Sequence, residues 1–254
     1  MEFNDKVIII SGASSGIGAE TARLLSSMGG RVVLVGRNQE RLNNVVADII
    51  KAGSPTPHAI VADVTKDCQR IVDETISHYG KLDVLVNNAG INIEIPIMDA
   101  TTLQYEQIFD TNVKSVITLT KLCVPHLEKT NGNIVNVSSI CGMVPVYSST
   151  FYSMSKAALD QFTQCAANEF GRKHIRVNSV NPGLIETPIF ETVGMSPDEI
   201  KTFIEENGKK YPVGRIGRVS DISRCIAFLA SERAEFITGT LLKCDGGAVS
   251  AAAY

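Results

Sequence analysis

The sequence lacks any closely spaced pair of cysteines or histidines. Its six cysteines lie far apart along 254 residues, none of them forms a C-x-x-C pair, and the four histidines show no ligand spacing. Scattered cysteines are typical of free thiols in a reducing compartment, whereas disulfide frameworks and zinc sites need ligands at characteristic spacings. We therefore expect buried free thiols and no structural metal site.

Long hydrophobic runs are also missing. No stretch approaches the roughly 18 apolar residues that a membrane helix requires. The first ten residues, MEFNDKVIII, are acidic with a four-residue apolar run, so they lack the basic region and the hydrophobic length of a signal peptide. We expect a cytoplasmic protein without a membrane span, although an organellar address read by unfamiliar signals stays open.

Neither sign of charge is in excess. The chain has 24 lysines and arginines against 27 aspartates and glutamates, a formal net charge of -3, and no long run of one sign. This balance disfavours a nucleic-acid backbone or an anionic membrane as the main partner. A small-molecule ligand is the better expectation.

Short strand-like runs alternate with longer segments of helical period along the chain. This alternation predicts repeated βαβ units, and hence an α/β fold whose parallel sheet is covered by helices on both faces. The pattern continues from Val7 to about Asp245, so we expect a single domain over residues 1–254 without a linker. The strand-like runs are KVIII, RVVLVG, HAIVAD, LDVLVN, NIVNVS, IRVNSVN and GTLLKCDG.

Three longer segments differ from this rhythm. Residues 103–128 and 151–172 are predicted to be long helices, the second because apolar side chains recur in it at helical spacing. Residues 184–217 mix prolines and glycines with apolar residues, which predicts an irregular lid or substrate-binding loop. The apolar residues of this segment include Ile189, Phe190, Val193, Met195, Phe203 and Ile204.

A glycine-rich turn lies near the start of the chain. The segment VIIISGASSGIG runs from a strand through Gly12, Gly16 and Gly18 into a helix that begins near Ile17. Glycines allow a tight turn and let a pyrophosphate approach backbone N–H groups at a helix N-terminus, so a dinucleotide site is predicted. The G-x-x-x-G-x-G spacing departs from the commoner G-x-G-x-x-G pattern, and a purely structural turn stays an alternative.

The same turn contains GASSG, a formal match to the nucleophile elbow of α/β-hydrolases with Ser14 as nucleophile. An elbow should be followed by an acid and then by a catalytic histidine. The last histidine is His174, which leaves about the final third of the chain without one. The hydrolase interpretation is therefore disfavoured.

Polar residues follow several of the predicted strands. Asn88, Ala89 and Gly90 follow one strand, and Ser138 and Ser139 end another. Since ligands bind at the carboxyl edge of open α/β sheets, these groups are candidates for a site.

A tyrosine and a lysine stand at one-turn spacing in the segment YSMSK. Tyr152 and Lys156 lie four residues apart, which puts both side chains on one face of a helix. Ser139 precedes Tyr152 by thirteen residues, and Asn112 lies inside the first long helix. The pair alone is compatible with an ordinary helix face, so its meaning depends on the other motifs.

Taken in order, these motifs resemble the short-chain dehydrogenase/reductase family. The resemblance rests on the glycine turn, NNAG, the asparagine, the serine, the Y-x-x-x-K pair and NPGLIET, and it covers nearly the whole chain. It implies a doubly wound Rossmann-like fold with about seven strands, a nicotinamide cofactor and a homodimer or homotetramer. The implied catalytic set is Asn112, Ser139, Tyr152 and Lys156. The positions that match the family's cofactor site are Gly12, Ser14, Ser15, Gly16, Ile17, Gly18, Asp63, Val64, Asn88, Ala89, Gly90, Tyr152, Lys156, Pro182, Gly183, Ile185 and Thr187.

Chemistry gives each implied catalytic residue a reason. Tyr152 would protonate the alkoxide formed from a ketone, which requires a pKa closer to neutrality than the ordinary value of about 10. An ammonium about 4 Å away, at an effective dielectric of about 20, supplies the roughly 4 kcal/mol needed for a shift of about three units. Lys156 is therefore expected to lower the pKa of Tyr152. Ser139 would hydrogen-bond the carbonyl oxygen, and Asn112, by family analogy, would hold a water that links Lys156 to solvent.

The end of the second predicted strand bears on the choice of cofactor. NAD sites of this type carry an acidic residue about 20 positions after the glycines, whereas an arginine accommodates the 2′-phosphate of NADP. Here the strand ends in Gly36 and Arg37, with glycine where the family's acid would stand. NADP(H) is therefore predicted, with Arg37 on the phosphate and Ser14 or Asn38 assisting, while NAD(H) stays possible. Reduction is the expected direction.

A hydrophobic carbonyl compound or secondary alcohol is the predicted substrate. One alternative is a 3-oxoacyl-thioester reductase, whose acidic carrier protein would dock on Lys129, Arg172 and Lys173. An alternative of another class is a non-catalytic NADP-binding sensor or structural subunit. Besides the 184–217 segment, the residues expected to line the substrate pocket are Ile91, Ile93, Cys141, Met143, Val144, Tyr147 and Phe151. Because Cys141 lies two residues beyond Ser139, activity is also expected to be thiol-sensitive.

Overall fold

The chain is built around a parallel sheet. A computed structural model describes residues 2–187 and 196–251, and within them seven strands form one sheet. These strands are β1 (Val7–Ser11), β2 (Arg31–Gly36), β3 (His58–Val61), β4 (Val84–Asn87), β5 (Asn133–Val137), β6 (Arg176–Pro182) and β9 (Leu241–Cys244). Their order in the sheet is β3-β2-β1-β4-β5-β6-β9. Each of the seven predicted runs overlaps one of these strands.

The strand order reverses at the middle of the sheet. β1 pairs in parallel with β2 on one side and with β4 on the other. The chain therefore adds β2 and β3 on one side of β1 and the later strands on the other side. In doubly wound folds the ligand crevice lies beyond the carboxyl ends of the two strands at such a reversal. The predicted doubly wound Rossmann-like fold is confirmed.

Helices cover both faces of the sheet. Residues of β1 alternate between two apolar clusters, with Ile8 and Ile10 in one and Val7 and Ile9 in the other, which explains its uninterrupted apolar run. The helices are α1 (Gly16–Ser27), α2 (Gln39–Lys51), α3 (Cys68–Tyr79), α4 (Thr102–Phe109), α5 (Ser115–Leu127), α6 (Thr150–Phe170), α7 (Pro197–Gly208), α8 (Val219–Ala230) and α9 (Ala248–Ala251). Helices α1, α2 and α8 pack on the first face, and α3, α5 and α6 pack on the second.

The first predicted long helix is interrupted. Residues 103–128 comprise α4, a five-residue π-helical segment at Asp110–Lys114 and then α5. Short π-helical segments are rare and are frequently found at functional sites. The second predicted long helix is continuous as α6, and a 3-10 turn at Gly171–Lys173 extends it.

The segment predicted to be an irregular lid is more regular than expected. It contains α7 and two short strands, β7 (Ile185–Glu186) and β8 (Gly217–Arg218), which pair in parallel. The predicted apolar residues Ile189, Phe190, Val193 and Met195 lie outside the described residues, and the lid function stays a prediction. In the part of the chain that the structure describes, no helix is long and apolar enough to cross a membrane.

Candidate active site

Three glycines form the turn between β1 and α1. Gly12 and Gly16 have φ values of 66° and 55°, a region that suits glycine. A Cβ on Gly18 would overlap the carbonyl oxygen of Gly12 and stand 2.5 Å from Nδ2 of Asn88. Asn88 Nδ2 itself donates hydrogen bonds to the carbonyl oxygens of Ser11 and Gly12 at 2.9 and 3.1 Å. These hydrogen bonds hold the glycine turn against the residues that follow β4.

Ser11, which the sequence analysis did not single out, adds further hydrogen bonds between the end of β1 and the NNAG segment. Its Oγ accepts hydrogen bonds from the backbone N–H groups of Asn88 and Ala89, both at 3.0 Å. The position of a serine as the last residue of an otherwise apolar strand was the available signal. Ser11 therefore holds the NNAG segment against the glycine turn.

A cavity of about 780 Å³ lies beyond these strand ends. Two of its cations, Arg41 and Lys66, were not predicted, although Arg41 stands one helical turn after Arg37. The predicted cofactor residues that line the cavity are Gly12, Ser14, Ser15, Arg37, Asn38, Asp63, Val64, Asn88, Ala89 and Gly90. Gly16, Ile17 and Gly18 form the first turn of α1, immediately after Ser15.

Asp63 and Asp110 are acidic residues that line this cavity, and Asp63 lies just after the end of β3. Burial acts to raise the pKa of its carboxyl, but hydrogen bonds from Thr65 and the charges of Arg37 and Lys66 outweigh that effect and lower the pKa. Asp63 is therefore ionised at neutral pH, and three cations surround the same cavity.

Asn112 lies in the π-helical segment and is almost wholly buried. Its side-chain oxygen accepts a hydrogen bond from the Ile91 N–H at 2.8 Å, and its Nδ2 donates to the Ile91 carbonyl at 2.9 Å and to Ser155 Oγ at 3.0 Å. The side chain thus joins the loop after β4 to helix α6. These bonds occupy both N–H donors of the side-chain amide and its oxygen. The predicted water relay would therefore have to use other atoms of Asn112.

The two consecutive serines after β5 have different partners. Ser138 Oγ donates to the Lys156 carbonyl oxygen at 3.3 Å, while Ser139 Oγ accepts a hydrogen bond from the Cys141 N–H at 3.1 Å. A hydrogen bond between the side chains of Ser139 and Tyr152 acts on the phenol. The second serine is therefore the one whose side chain interacts with the tyrosine.

Tyr152 and Lys156 lie on the first turns of α6. The Lys156 ammonium is buried, donates a hydrogen bond to the Val137 carbonyl oxygen at 2.9 Å and lies 5.5 Å from the centroid of the Tyr152 ring. A Cβ on Gly90 would stand 3.3 Å from Oδ1 of Asn112 and 3.6 Å from Nζ of Lys156. The four predicted catalytic residues therefore come together at the edge of the sheet, beside the NNAG loop.

The protonation of this cluster differs from the expectation. Burial raises the pKa of Tyr152 to about 12, and its hydrogen bond with Ser139 offsets only part of that rise. Burial also lowers the pKa of Lys156 to about 8, against the attraction of Asp160. Burial of the phenol, rather than the neighbouring ammonium, therefore dominates the pKa of Tyr152, which is a neutral phenol at neutral pH.

The end of β6 approaches the glycine turn from the other side. A Cβ on Gly16 would meet Cγ2 of Thr187 at 3.6 Å, and Pro182 and Ile185 are buried. Gly183 is crowded by Tyr211, whose hydroxyl accepts a hydrogen bond from the Leu184 N–H at 2.7 Å. Tyr211 is a further residue that sequence reasoning missed.

The residues predicted to form the substrate pocket are only partly gathered. Ile91 lines the cavity described above, and Phe151 packs edge-on against Tyr105 with ring centroids 5.4 Å apart. Tyr147 is 87% exposed and Met143 is 36% exposed. Met143 and Tyr147 are therefore exposed side chains and are not enclosed in a chamber.

Comparison with known proteins identifies the family. A family model described as enoyl-(acyl carrier protein) reductase matches residues 12–249. A 7alpha-hydroxysteroid dehydrogenase from Bacteroides fragilis is 36% identical over 254 residues, covering 96% of this chain and 95% of that protein. A 3-oxoacyl-[acyl-carrier-protein] reductase from Thermotoga maritima is 34% identical over 251 residues, covering 98% and 100%.

A solved structure agrees over the whole fold. The crystal structure of a short-chain dehydrogenase/reductase of unknown function from Caenorhabditis elegans, with cofactor, has a TM-score of 0.92 and 36% sequence identity. The match covers 98% of this chain and 97% of that one. This chain is a short-chain dehydrogenase/reductase. The predicted family is confirmed, and with it an oxidoreductase that uses a nicotinamide cofactor.

The residues of this short-chain dehydrogenase/reductase fit such a cofactor. The cavity is within the roughly 300–1,000 Å³ range of small-molecule sites, and its glycines leave the backbone open at the N-terminus of α1, where phosphate groups bind. Close approach at Gly12 depends on the missing side chain, since a Cβ there would stand 2.9 Å from Cα of Ala89. Ser14, Ser15 and the first turn of α1 would hold the pyrophosphate.

Proposed function

We propose that this enzyme transfers a hydride between NADP(H) and a hydrophobic carbonyl compound or secondary alcohol, with Tyr152 as the acid and base. The observation that carries the proposal is the convergence of Ser139, Tyr152, Lys156 and Asn112 beside the dinucleotide cavity. Buried groups with perturbed pKa values in such a place are typical of catalytic sites.

The chain's own groups have distinct tasks in this reaction. The nicotinamide supplies or accepts the hydride. Ser139 Oγ accepts a hydrogen bond from the Cys141 N–H and would donate its own proton, which it shares with the Tyr152 side chain, to the substrate oxygen. Tyr152 gives a proton to that oxygen in reduction and takes it back in oxidation. Lys156, held on the Val137 carbonyl, brings a positive charge close to the oxyanion and the phenol.

The protonation of Tyr152 supports reduction as the direction favoured at neutral pH. A pKa of about 12 keeps the phenol protonated, which is the form that can protonate an alkoxide. Oxidation requires the tyrosinate instead. Its rate is therefore expected to rise with pH across the neutral and alkaline range, while reduction does not need this ionisation.

The cations around the cavity support NADP(H) over NAD(H). Arg37, Arg41 and Lys66 line this cavity, and Gly36 supplies no carboxylate to repel a phosphate. Guanidinium groups pair with phosphate oxygens through two parallel hydrogen bonds. The side-chain oxygen of the adjacent Asn38 accepts a hydrogen bond from the Arg41 N–H and caps α2, so any hydrogen bond from Asn38 to the phosphate would come from its Nδ2.

The exposed apolar side chains of Met143, Val146 and Tyr147, which follow Ser139 in the chain, support a hydrophobic substrate. The relatives include a 7alpha-hydroxysteroid dehydrogenase, a 3-oxoacyl-[acyl-carrier-protein] reductase and an L-fucose dehydrogenase, so one substrate of each class belongs in a test. The basic patch invoked for the thioester alternative adds no support. Lys129 and Lys173 lie just before the amino ends of β5 and β6, opposite the catalytic edge, and Lys173 pairs with Glu128 at 2.7 Å.

The decisive experiment is a turnover assay. NADPH and NADH oxidation are followed with steroid ketones, apolar ketones and 3-oxoacyl thioesters, and L-fucose and secondary alcohols are tested in the oxidative direction. Tyr152→Phe is expected to lower turnover by at least about 10²-fold, because it removes the proton donor. Tyr79→Phe, at the end of α3, is the matched control and should retain activity.

Each negative outcome has a meaning. Turnover that survives Tyr152→Phe contradicts the proposed acid and base. Preference for the 3-oxoacyl thioester selects the alternative substrate. No turnover across the panel, with NADPH still bound tightly, favours the sensor or structural role.

A further inference from the structure

A second buried charge lies next to the catalytic cluster. Asp160 follows Lys156 by one turn of α6, and its residue is only 6% exposed. Its two carboxylate oxygens accept hydrogen bonds from Nδ2 of Asn181, at 2.9 and 3.0 Å. A carboxylate is rarely buried unless it is paired, so this one requires an explanation.

The partner amide joins Asp160 to the catalytic serine. Asn181, near the end of β6, also directs Nδ2 towards the carbonyl oxygen of Ser139 at 3.3 Å. The orientation of this amide is set by Ser179, whose hydroxyl donates to the Asn181 oxygen at 2.7 Å. Asp160 therefore fixes an amide that contacts both β6 and the turn carrying Ser139.

Close packing supports the same connection. A Cβ on Gly142, in the turn after Ser139, would stand 2.8 Å from Oδ2 of Asp160. The carboxylate thus lies directly against the backbone of this turn. A displacement of Asp160 would be transmitted to Ser139, because interiors at this packing density have little free space.

The charge of Asp160 acts on Lys156. The titratable groups that face Lys156 are Asp160 and Tyr152 on its own helix and Cys141 on the turn after β5. Burial lowers the pKa of Lys156, and the attraction of Asp160 is the larger of the two charge effects that raise it again. Burial raises the pKa of Asp160 itself, while hydrogen bonds from Ser138 and Asn181 and the charge of Lys156 oppose that rise.

We infer that Asp160 is a positioning residue for the proposed reaction, which holds the positive charge on Lys156 and orients the Ser139 turn through Asn181. The inference rests on the proposed function for its catalytic meaning. Its electrostatic part concerns Lys156 alone and is measurable without turnover. A purely structural role would affect stability but would leave the titration of Lys156 unchanged.

The test compares three variants with the wild type. Asp160→Asn removes the charge while keeping the shape, and Asn181→Ala removes the donors that favour the charged carboxylate. Glu169→Gln, at an exposed position of the same helix, is the matched control. Lysine labelled with ¹³C at Cε is titrated by NMR, and the Lys156 signal is assigned from its loss in Lys156→Arg.

A second readout follows the reaction. The pH profile of kcat/KM for NADPH-dependent reduction is measured for every variant, together with the melting temperature. The alkaline limb should follow the Lys156 titration if the ammonium is needed. A change in KM alone, with the limb in place, would be the sign of a structural effect.

In Asp160→Asn the Lys156 titration is expected to move to lower pH by about one unit or more, because an attracting charge is removed in a buried site. Asn181→Ala should move it in the same direction and Glu169→Gln should not move it. An unchanged Lys156 titration in Asp160→Asn or Asn181→Ala overturns the inference. If Asp160→Asn does not fold, Asn181→Ala decides the question.

The two proposals fail in different ways. If the Lys156 titration moves while wild-type protein turns over no substrate, the electrostatic link holds and the proposed function is wrong. If the wild type is active, and the variants keep the wild-type titration of Lys156 and the wild-type alkaline limb of kcat/KM, the proposed function holds and Asp160 has only a structural role.

Discussion

Lys156 Nζ donates a hydrogen bond to the carbonyl oxygen of Val137 at 2.9 Å, which joins helix α6 to the last residue of β5. This bond fixes the first turns of α6, which carry Tyr152, relative to the turn after β5, which carries Ser139. It also keeps the ammonium buried, with the lysine only 4% exposed. The same contact therefore sets both the geometry and the electrostatics of the proposed site.

The buried ammonium predicts a specific pH dependence of stability. The native pKa of Lys156 is lowered to about 8 from 10.5, so between these values the unfolded chain binds a proton that the native chain lacks. Stability should therefore rise with pH in this window, by up to about 1.4 kcal/mol per unit from this group. In Lys156→Met this contribution disappears, as urea unfolding at several pH values would reveal. If the free energies of unfolding of the wild type and Lys156→Met change in parallel with pH, the predicted contribution of Lys156 is absent.

Gly18 is predicted to tolerate no side chain. A Cβ there would overlap the Gly12 carbonyl and crowd Asn88, so Gly18→Ala should cost roughly 1–3 kcal/mol of unfolding free energy. It should also weaken NADPH binding, because the turn that meets the pyrophosphate is displaced. Thermal unfolding and cofactor fluorescence measure the two effects.

Gly171→Ala is the matched control for Gly18→Ala. Its φ of -56° suits any residue, and an added Cβ would meet nothing within 4 Å. We expect the free energy of unfolding of Gly171→Ala to lie within about 1 kcal/mol of the wild type. Any change should be an increase, because alanine has a higher helix propensity than glycine. Equal losses in the two variants would show that the crowding at Gly18 is not the cause.

Arg37 is predicted to discriminate between the cofactors. Arg37→Ala should raise the KM for NADPH by roughly 10- to 100-fold, since a hydrogen bond to a charged group is worth about 1.5–3 kcal/mol. The KM for NADH should change little, because that cofactor lacks the 2′-phosphate. Steady-state kinetics with both cofactors provide the measurement, and Arg41→Ala tests the second cation. An equal rise for both cofactors would contradict the assignment.

Asp221 is predicted to stabilise the protein down to acid pH. Arg215 donates two hydrogen bonds to its carboxylate, at 2.7 and 3.1 Å, and this contact lowers the pKa of Asp221 to about 2. Since the native pKa lies below the ordinary 3.8, the stabilisation is present above 3.8 and is lost as pH falls through about 2. Asp221→Asn should therefore melt lower than wild type at neutral pH.

The Asp221 comparison is made across an acid series. The difference in melting temperature should narrow as pH falls from about 4 towards 2, because the wild-type carboxylate becomes protonated there. Asp73→Asn, at an exposed position of α3, is the control and should show a small, pH-independent effect. A constant gap for Asp221→Asn would mean that the ion pair is not its cause.

Local sequence patterns predicted much of the fold. Strands β1, β2 and β4 are short, mostly apolar runs that are buried almost throughout, and this pattern requires no knowledge of distant contacts. The start of α7 could have been found in the same way. Ser196 and Glu199 form a capping box there, whose S-x-x-E pattern is visible in SPDE.

Other features were not readable from local patterns. The π-helical segment depends on the bonds of Asn112 to Ile91 and Ser155, which lie 21 and 43 residues away. The pair of Asp160 and Asn181 likewise spans 21 residues. Such contacts form only when the sheet and its helices are assembled, so spacing along the chain carried no sign of them.

The sequence by itself determined the family, the parallel sheet and the order of the site residues, because apolar periodicity, glycine turns and one-turn spacings are local properties. Only the tertiary structure decided the protonation of the site. Charge attraction between Tyr152 and Lys156 was foreseeable from their spacing, but burial raises the pKa of the phenol and lowers that of the ammonium. Desolvation depends on every element that covers a group, and that cover exists only in the folded chain.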